Sequence, residues 1–476
     1  MSSFDSLSVA LSSLYAQRRG LDVTGQNIAN ANTDGYSRQR VDMAAVGAPA
    51  TPAIWSTWQG ASGGVTVEDV TRMRDAFLEA RGRDEHSRLS LVTSASQTLN
   101  QIQQIFPEPG PNGLQSMLSG LWSGFADLSN RPGDSAARTQ LLQTASGVSN
   151  WLNQAHGALA SQWSAMHDQA TALASEVNSA AHGVAELNQA IQRATQSGLP
   201  ANELTDQRDV LAMKLADLVG ATSRIGESGM LDVLVAGSSL VLGNVAQDIA
   251  VSALPARLED VTPSTQVQLT WVKDGQPVPV SSGQAGAMLD GLNNVIPNFS
   301  ARLDTVAANL ASAVNTQHKV GFDQNGNPGI ALFSAGTVGP PITAANITVA
   351  ITDPALLAAS GIGTLPPGAP TPNLDGSNAN MLAQLASMSG GPDDAYRQLV
   401  VDLGVTTQSA SRRVDTQKVI TSQVDSARDS QAGVNIDEEM TNMISFQRAY
   451  EAAARLMTAI DTTLDTLINH TGLVGR

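Results

Sequence analysis

Three places in this 476-residue sequence carry residue types and spacings that could do chemistry. Gly60-Ala61-Ser62-Gly63-Gly64 fits the G-x-S-x-G pattern, which would present a serine hydroxyl for acyl transfer. That use needs a strand before the serine and a helix after it, whereas Val65-Thr66-Val67 follows and reads as a strand. A glycine-rich loop is therefore expected. Asp323-Gln324-Asn325-Gly326-Asn327-Pro328 begins like a calcium loop. Its sixth position is Pro328 where glycine makes the sharp turn, and its twelfth is Ser334 where a bidentate glutamate belongs. A turn between short strands is expected instead. Asp437-Glu438-Glu439 could be a carboxylate cluster, but at the start of a helix such charges simply suit the positive end of the macrodipole. His86, His156, His167, His182, His318 and His470 do not pair at zinc-ligand spacing, and no cysteine can complete a site. No catalytic, cofactor-binding or metal-ligating residue is expected, and the chain does not read as an enzyme.

Composition narrows the class further. The net charge is −16 and no basic run exists, which argues against a nucleic-acid footprint. Charged residues make up only 15 %, so the chain is not a solvated acidic tail. The absence of cysteine removes disulfides and thiolate chemistry. No run of about 18 apolar residues suggests a membrane span. The N-terminus lacks a basic segment and an apolar core of about 7–15 residues, so no cleaved secretory signal is expected.

The elements that must position anything functional are mostly helices. The apolar period predicts a helix over 3–31, interrupted at Arg18-Arg19-Gly20, then an irregular loop with a hairpin over 32–70. Helix returns from Asp69 to Phe106 and stops at Pro107-Glu108-Pro109-Gly110-Pro111. After a helix over 112–130, Asp134 is placed to cap the longest proline-free stretch, Gly133 to Leu199. A single helix there would reach about 80–95 Å and would need a partner along its length. The pattern turns to β at Gly220, with an Asp-Gly hairpin signal at Asp274-Gly275. Helix resumes over 286–317, short β runs return over 319–376, and 377–469 is again helical, broken near Gly390 and at Gly433. The expected fold is mainly α with inserted β modules: a long helical bundle built from N- and C-terminal segments, plus one or two small β-rich outer domains. The expected divisions are an N-terminal axial helix and loop (1–68), a helical bundle core (69–220), an inserted β domain (221–280), a helical return (281–318), a turn-rich β module (319–376) and a C-terminal helical segment (377–476).

Both ends carry narrow apolar seams. Leu7, Leu11, Leu14, Leu21 and Ile28 repeat in 3-4 register near the start. Ile436, Met440, Met443, Tyr450, Met457, Ile460, Leu464 and Leu467 do so near the end. A narrow seam wants another helix, so the termini meet each other or meet neighbouring copies. Each seam is interrupted by polar or small residues and is marginal alone, so the ends are expected to be disordered in the free monomer and to fold on assembly.

Polar signatures adjoin the seams: Asn27-Ile28-Ala29-Asn30-Ala31-Asn32-Thr33-Asp34-Gly35-Tyr36-Ser37-Arg38-Gln39, and Val434 to Ala454. These resemble the two terminal boxes of the flagellar axial protein family, the rod, hook and hook-associated proteins. Inside the chain, Asp127 to Arg138, Asp206-Gln207-Arg208-Asp209, Asn315 to Asp323 and Asp375 to Asn380 look like motifs of its hook-associated branch. The resemblance implies a structural subunit at the junction between hook and filament, assembled as a helical tube through paired terminal helices. The alternative is a hook or distal-rod subunit. It implies as partners other copies of the chain, the hook protein, the second junction protein (hook-associated protein 3), a cytoplasmic export chaperone and the flagellar type III export apparatus. It implies an extracellular place on the flagellum. Asn30, Asn32, Gly35 and Tyr36 join the N-terminal seam as expected interface residues, and the C-terminal seam also serves the chaperone. Arg38 is expected to meet a carboxylate of a neighbour.

Overall fold

The computed structural model describes residues 3–46, 63–226, 229–363 and 375–470. Helix α1 (Ser3–Ala29) leads into an antiparallel hairpin of β1 (Gln39–Val46) and β2 (Gly64–Arg72), with Gln39 opposite Arg72. The Arg18-Arg19-Gly20 stretch does not interrupt α1. Helix α2 (Ala76–Ile105) starts later than its apolar period suggests, because Asp69 to Arg72 pair as strand and Asp75 caps the helix through Phe77 and Leu78 N–H. Helix α3 (Leu114–Asn130) precedes α4 (Ser135–Gln196), a single helix of 62 residues capped by Asp134. At 1.5 Å per residue α4 is about 90 Å long. Helix α5 (Asn202–Val219) ends at Gly220, whose φ of +66° is the left-handed conformation that glycine adopts without a Cβ clash.

The β region after Gly220 is two sheets. Strands β3 (Thr222–Ile225), β4 (Leu231–Val235), β5 (Ser238–Leu242) and β6 (Val245–Ala246) form an antiparallel meander. Strands β7 (Ile249–Val251), β8 (Leu269–Trp271) and β9 (Pro277–Val278) form the second. The expected Asp-Gly turn joins β8 to β9, with Asp274 accepting from Gln276 N–H. Helix α6 (Gly283–Asp290) passes through a π-helical turn, Gly291–Val295, into α7 (Ile296–Val320). Over 319–376 the only paired strands among the described residues are β10 (Phe333–Ser334) and β11 (Thr348–Val349), less sheet than the β runs suggest. Helices α8 (Ser377–Ala383), α9 (Pro392–Ala432) and α10 (Ile436–Asp465) complete the chain.

The core follows from the helical stripes. Leu141, Val148, Leu152, Leu159, Val177 and Val184 of α4 are buried, as are Leu303, Val306, Leu310 and Val314 of α7 and Leu114, Leu118, Leu121 and Phe125 of α3. Helices α2 and α9 pack antiparallel, as Glu79 meeting Arg428 and Glu85 meeting Gln417 show. Four asparagines fasten the inserted strands and loops onto the helices. The side-chain amides of Asn178, Asn188, Asn293 and Asn315 each exchange two hydrogen bonds with one backbone residue, Ile249, Leu231, Val267 and Phe333 respectively. Each carboxamide thus stands in for a neighbouring strand, satisfying edge groups that burial would otherwise leave unpaired. Among the described residues no helix is long and apolar enough to cross a membrane.

Candidate assembly interface

The two chain ends meet. Helices α1 and α10 run antiparallel: Gly20 faces the Phe446 ring, where a Cβ would lie 2.7 Å away, and seven residues later Asn27 faces Glu439. The buried residues of α1 include Ala16, Gly20, Val23 and Asn27, in a 4-3-4 spacing, together with Ala10 and Thr24. On α10 they are Glu439, Ala453 and Ile460, with Phe446 half-buried at the same heptad position. Small residues on one helix let the larger ring of the other approach closely.

A polar lock closes one end of this seam. The Asn27 amide donates to Glu439 Oε2 at 2.9 Å and to Gln39 O at 2.9 Å. It accepts from Gln39 N–H at 2.9 Å and from the Tyr36 hydroxyl at 2.8 Å. Arg38 reaches Glu439 and Glu438, each at 2.8 Å, and its N–H donates to Ala432 O. Arg38 therefore finds its carboxylates within its own chain, because the turn at 30–36 folds it back onto the start of α10. Asn435 caps that helix, so the acidic triplet serves the lock and the helix end. Burial, then the charges of Asp206, Glu203 and Glu439, push the Tyr36 pKa up to about 12, which keeps the hydroxyl a donor. Polar groups at seam positions fix the register of a helix pair.

A charged joint ties this lock to the body. Ser37 donates to Asp206 through N–H at 3.0 Å and Oγ at 2.6 Å. Arg72 bridges Asp206 and Asp209, each at 2.8 Å. Arg74 links Asp209 to Gly35 O and to Glu79, which Arg428 also holds at 3.0 Å. Although partial burial works against it, Asp209 and Asp206 hold the Arg72 guanidinium above the ordinary value. Gly35 is required twice over: its φ is +79°, and a Cβ would lie 2.3 Å from Val210.

The seam residues named from sequence fall mostly on other faces. Leu7, Leu14, Leu21 and Ile28 are half-buried beside the pair, and Leu11 remains 42 % exposed. Ile436, Met440, Tyr450 and Leu467 are exposed, Met443, Met457 and Leu464 half-buried, and only Ile460 is buried. Asn30 and Tyr36 sit half-buried in the turn, where Asn32 is exposed. The apolar pattern does not pick out Gly20, Val23, Glu439, Phe446 or Ala453. Continuing the register of the named seams runs through Arg18, Gly25, Gln447, Ala454 and Asp461 instead, so the residues of the contact lie on an offset stripe.

The remaining candidates form no site among the described residues. Ser62 lies outside the described residues. The Asp323 carboxylate is occupied by Asn325 N–H, Asn327 N–H and the Asn327 amide, which closes the loop as a turn. No group of potential metal ligands occurs among the described residues. The interior motifs instead fasten segments together. Arg138 donates to Pro132, Pro354 and Leu357 carbonyls. His318 donates from Nδ1 to Ile330 O and accepts Ala358 N–H at Nε2.

Residues 99–333 match a family described as the flagellar hook-associated protein FlgK helical domain. Residues 7–36 match the flagella basal body rod protein family, and 426–470 the C-terminal family of flagellar basal body rod FlgEFG proteins. The ends thus match rod-protein families, and the helical middle matches a hook-associated one. Flagellar hook-associated protein 1 of Bacillus subtilis (strain 168) is 30 % identical over the full length of both chains. That of Escherichia coli (strain K12) is 26 % identical, covering 97 % of this chain and 98 % of its own. A solved structure of the flagellar hook junction protein FlgK from Burkholderia pseudomallei shares the fold, with a TM-score of 0.62 at 16 % identity, covering 74 % of this chain and all of that one. With both ends and the helical middle matched along the full length, the chain belongs to the flagellar hook-associated protein 1 family.

Proposed function

We propose that this chain is a structural subunit of the bacterial flagellum that forms the junction between hook and filament. The observation that carries the reading is the terminal pair. Helices α1 and α10 satisfy each other along one face and leave Leu11, Ile436, Met440 and Ile444 open to solvent on others. Large apolar side chains exposed along a helix pair mark a surface that another protein covers. Other copies of the chain supply that cover in a helical tube, with Leu7, Leu14, Leu21 and Ile28 at the same contact and Met443, Tyr450, Met457, Leu464 and Leu467 on the opposite helix. The names of the relatives support the place, since they are hook-associated proteins and one is called a hook junction protein.

The partners that follow are the hook protein below, hook-associated protein 3 above, and before export a cytoplasmic chaperone on the C-terminal seam and the flagellar type III apparatus. The chain acts outside the cell and performs no catalysis. We divide it functionally into the terminal segment 1–68 with its partner helix at the end of 377–476, the helical core 69–220 and 281–318, and the outward segments 221–280 and 319–376. The test is a deletion strain. Hooks without filaments, with filament protein shed into the medium, are the expected result. Normal filaments would refute the assignment, and loss of the hook itself would place the chain in the rod or hook.

A further inference from the structure

Beside the charged joint lies an open cleft of about 860 Å³ between α2, α5 and β3. Two of the guanidinium groups that line it, Arg83 and Arg208, make no ion pair among the described residues. Arg208 is 4 % exposed, and its Nη1 is anchored on Asn188 Oδ1 at 3.1 Å. Its Nε is buried with no hydrogen-bond partner among the described residues. Ser223 Oγ, from a residue of β3 that also lines the cleft, is likewise buried and unpartnered among the described residues. The carboxylates nearest Arg83, Asp209 and Glu79, are already held by Arg72, Arg74 and Arg428. Burial lowers the pKa of both unpaired arginines below the ordinary value.

A guanidinium withdrawn from water without a counter-ion is costly, and its planar fork matches an oxyanion. An unsatisfied buried donor calls for an occupant. We infer that the cleft between Arg83, Arg208 and Ser223 binds an oxyanion, either a carboxylate from a second copy of this chain or a small free anion. Arg83 and the Nε–Nη2 edge of Arg208 supply charge-assisted bonds, and Ser223 Oγ donates a third. The joint's Arg72, Arg74, Glu79 and Asp209 also line the cleft, but they are already paired with one another, which leaves Arg83 and Arg208 as its uncommitted cations.

Calorimetric titration of the full chain with inorganic phosphate, against chloride at equal ionic strength, tests the site. Wild type should bind saturably. Arg83→Gln, which removes no existing bond, should weaken binding by about tenfold or more. Ser223→Asp plants a carboxylate in the cleft, so it should raise the melting temperature and abolish phosphate binding. Phosphate that wild type binds no better than chloride, or that Arg83→Gln binds equally well, overturns the inference. A second arm rests on the assembly reading and identifies the source. Phosphate that inhibits tube formation assigns the native anion to a neighbour's carboxylate, and phosphate retained in formed tubes assigns it to a free anion. Both outcomes uphold the oxyanion site, and the first titration stands if tubes do not form.

Discussion

The terminal pair and the body are both built from long helices, yet they satisfy their surfaces differently. Helix α10 buries three of its 30 residues, Glu439, Ala453 and Ile460. Helix α4 buries 21 of 62, with its stripe covered by α3, α5, α7 and the inserted strands. Fully burying one Val or Ile side chain contributes about 1.5–3 kcal/mol, so α10 gains little from α1. Its register is held instead by a polar lock in which Glu439 is 2 % exposed and paired. A body secured by apolar area is stable by itself. A pair secured by one lock and one thin seam is marginal, and its open leucines and methionines are free to gain from neighbours. On the proposed reading, the division of labour is a rigid body carrying an assembly device that neighbouring copies complete.

That contrast can be broken in order of effect. Leu11→Glu places a charge on the open face of α1, where it costs little in the free chain and much once a neighbour covers it. It should abolish filament attachment while leaving the melting temperature of the body unchanged; swimming cells carrying it would undo the contrast. The body has its own weakness at His318. Burial lowers its pKa to about 4 from 6.5, so the unfolded chain takes up a proton that the folded chain refuses. Stability is full above pH 6.5 and falls as pH drops toward 4, by on the order of 3 kcal/mol for this group. Thermal melts from about pH 7 to about pH 4 should show the decline, and His318→Gln should flatten it. Removing one amide clamp, Asn188→Ala, leaves Leu231 N–H and O unpaired. The cost should be about 1–3 kcal/mol in denaturant melts of the body, with α1 and α10 no more protease-sensitive than before. Gly20→Ala should do the reverse. Its Cβ presses on Phe446, so cleavage within residues 3–29 should speed up, while the body melts within about 1 kcal/mol of wild type.

Much of the body is legible in the sequence because its signals are local. The uninterrupted stripe from Leu141 to Ile191 and the cap at Asp134 define α4, and Gly220 and the Asp274-Gly275 turn sit where the backbone needs them. The named seams and the stripe used inside the chain are different faces. Large apolar residues, Leu7 to Ile28, draw attention to one stripe of α1, while the buried residues include Ala16, Gly20, Val23 and Asn27. Small and polar residues mark a close helix contact only when the opposing residue is known, and Glu439 lies 412 positions from the Asn27 it meets. Phe446, which faces Gly20, is just as remote in the chain. The same distance hides the destination of Arg38 and the reason for Asp206 and Asp209.

By itself the sequence determined the long helices, the turns between them, the want of a recognisable catalytic or metal-binding motif, and the two terminal boxes that resemble an axial protein. Each of these depends on neighbours within a few residues or on residue types alone. Only the tertiary structure decided which face of each terminal helix is spent inside the chain and which stays open. It also decided that Arg72, Arg74, Asp206 and Asp209 form a joint, and that Arg83 and Arg208 are left over. Those outcomes depend on which charges reach within about 4 Å of one another, and pairing at that range is fixed by packing.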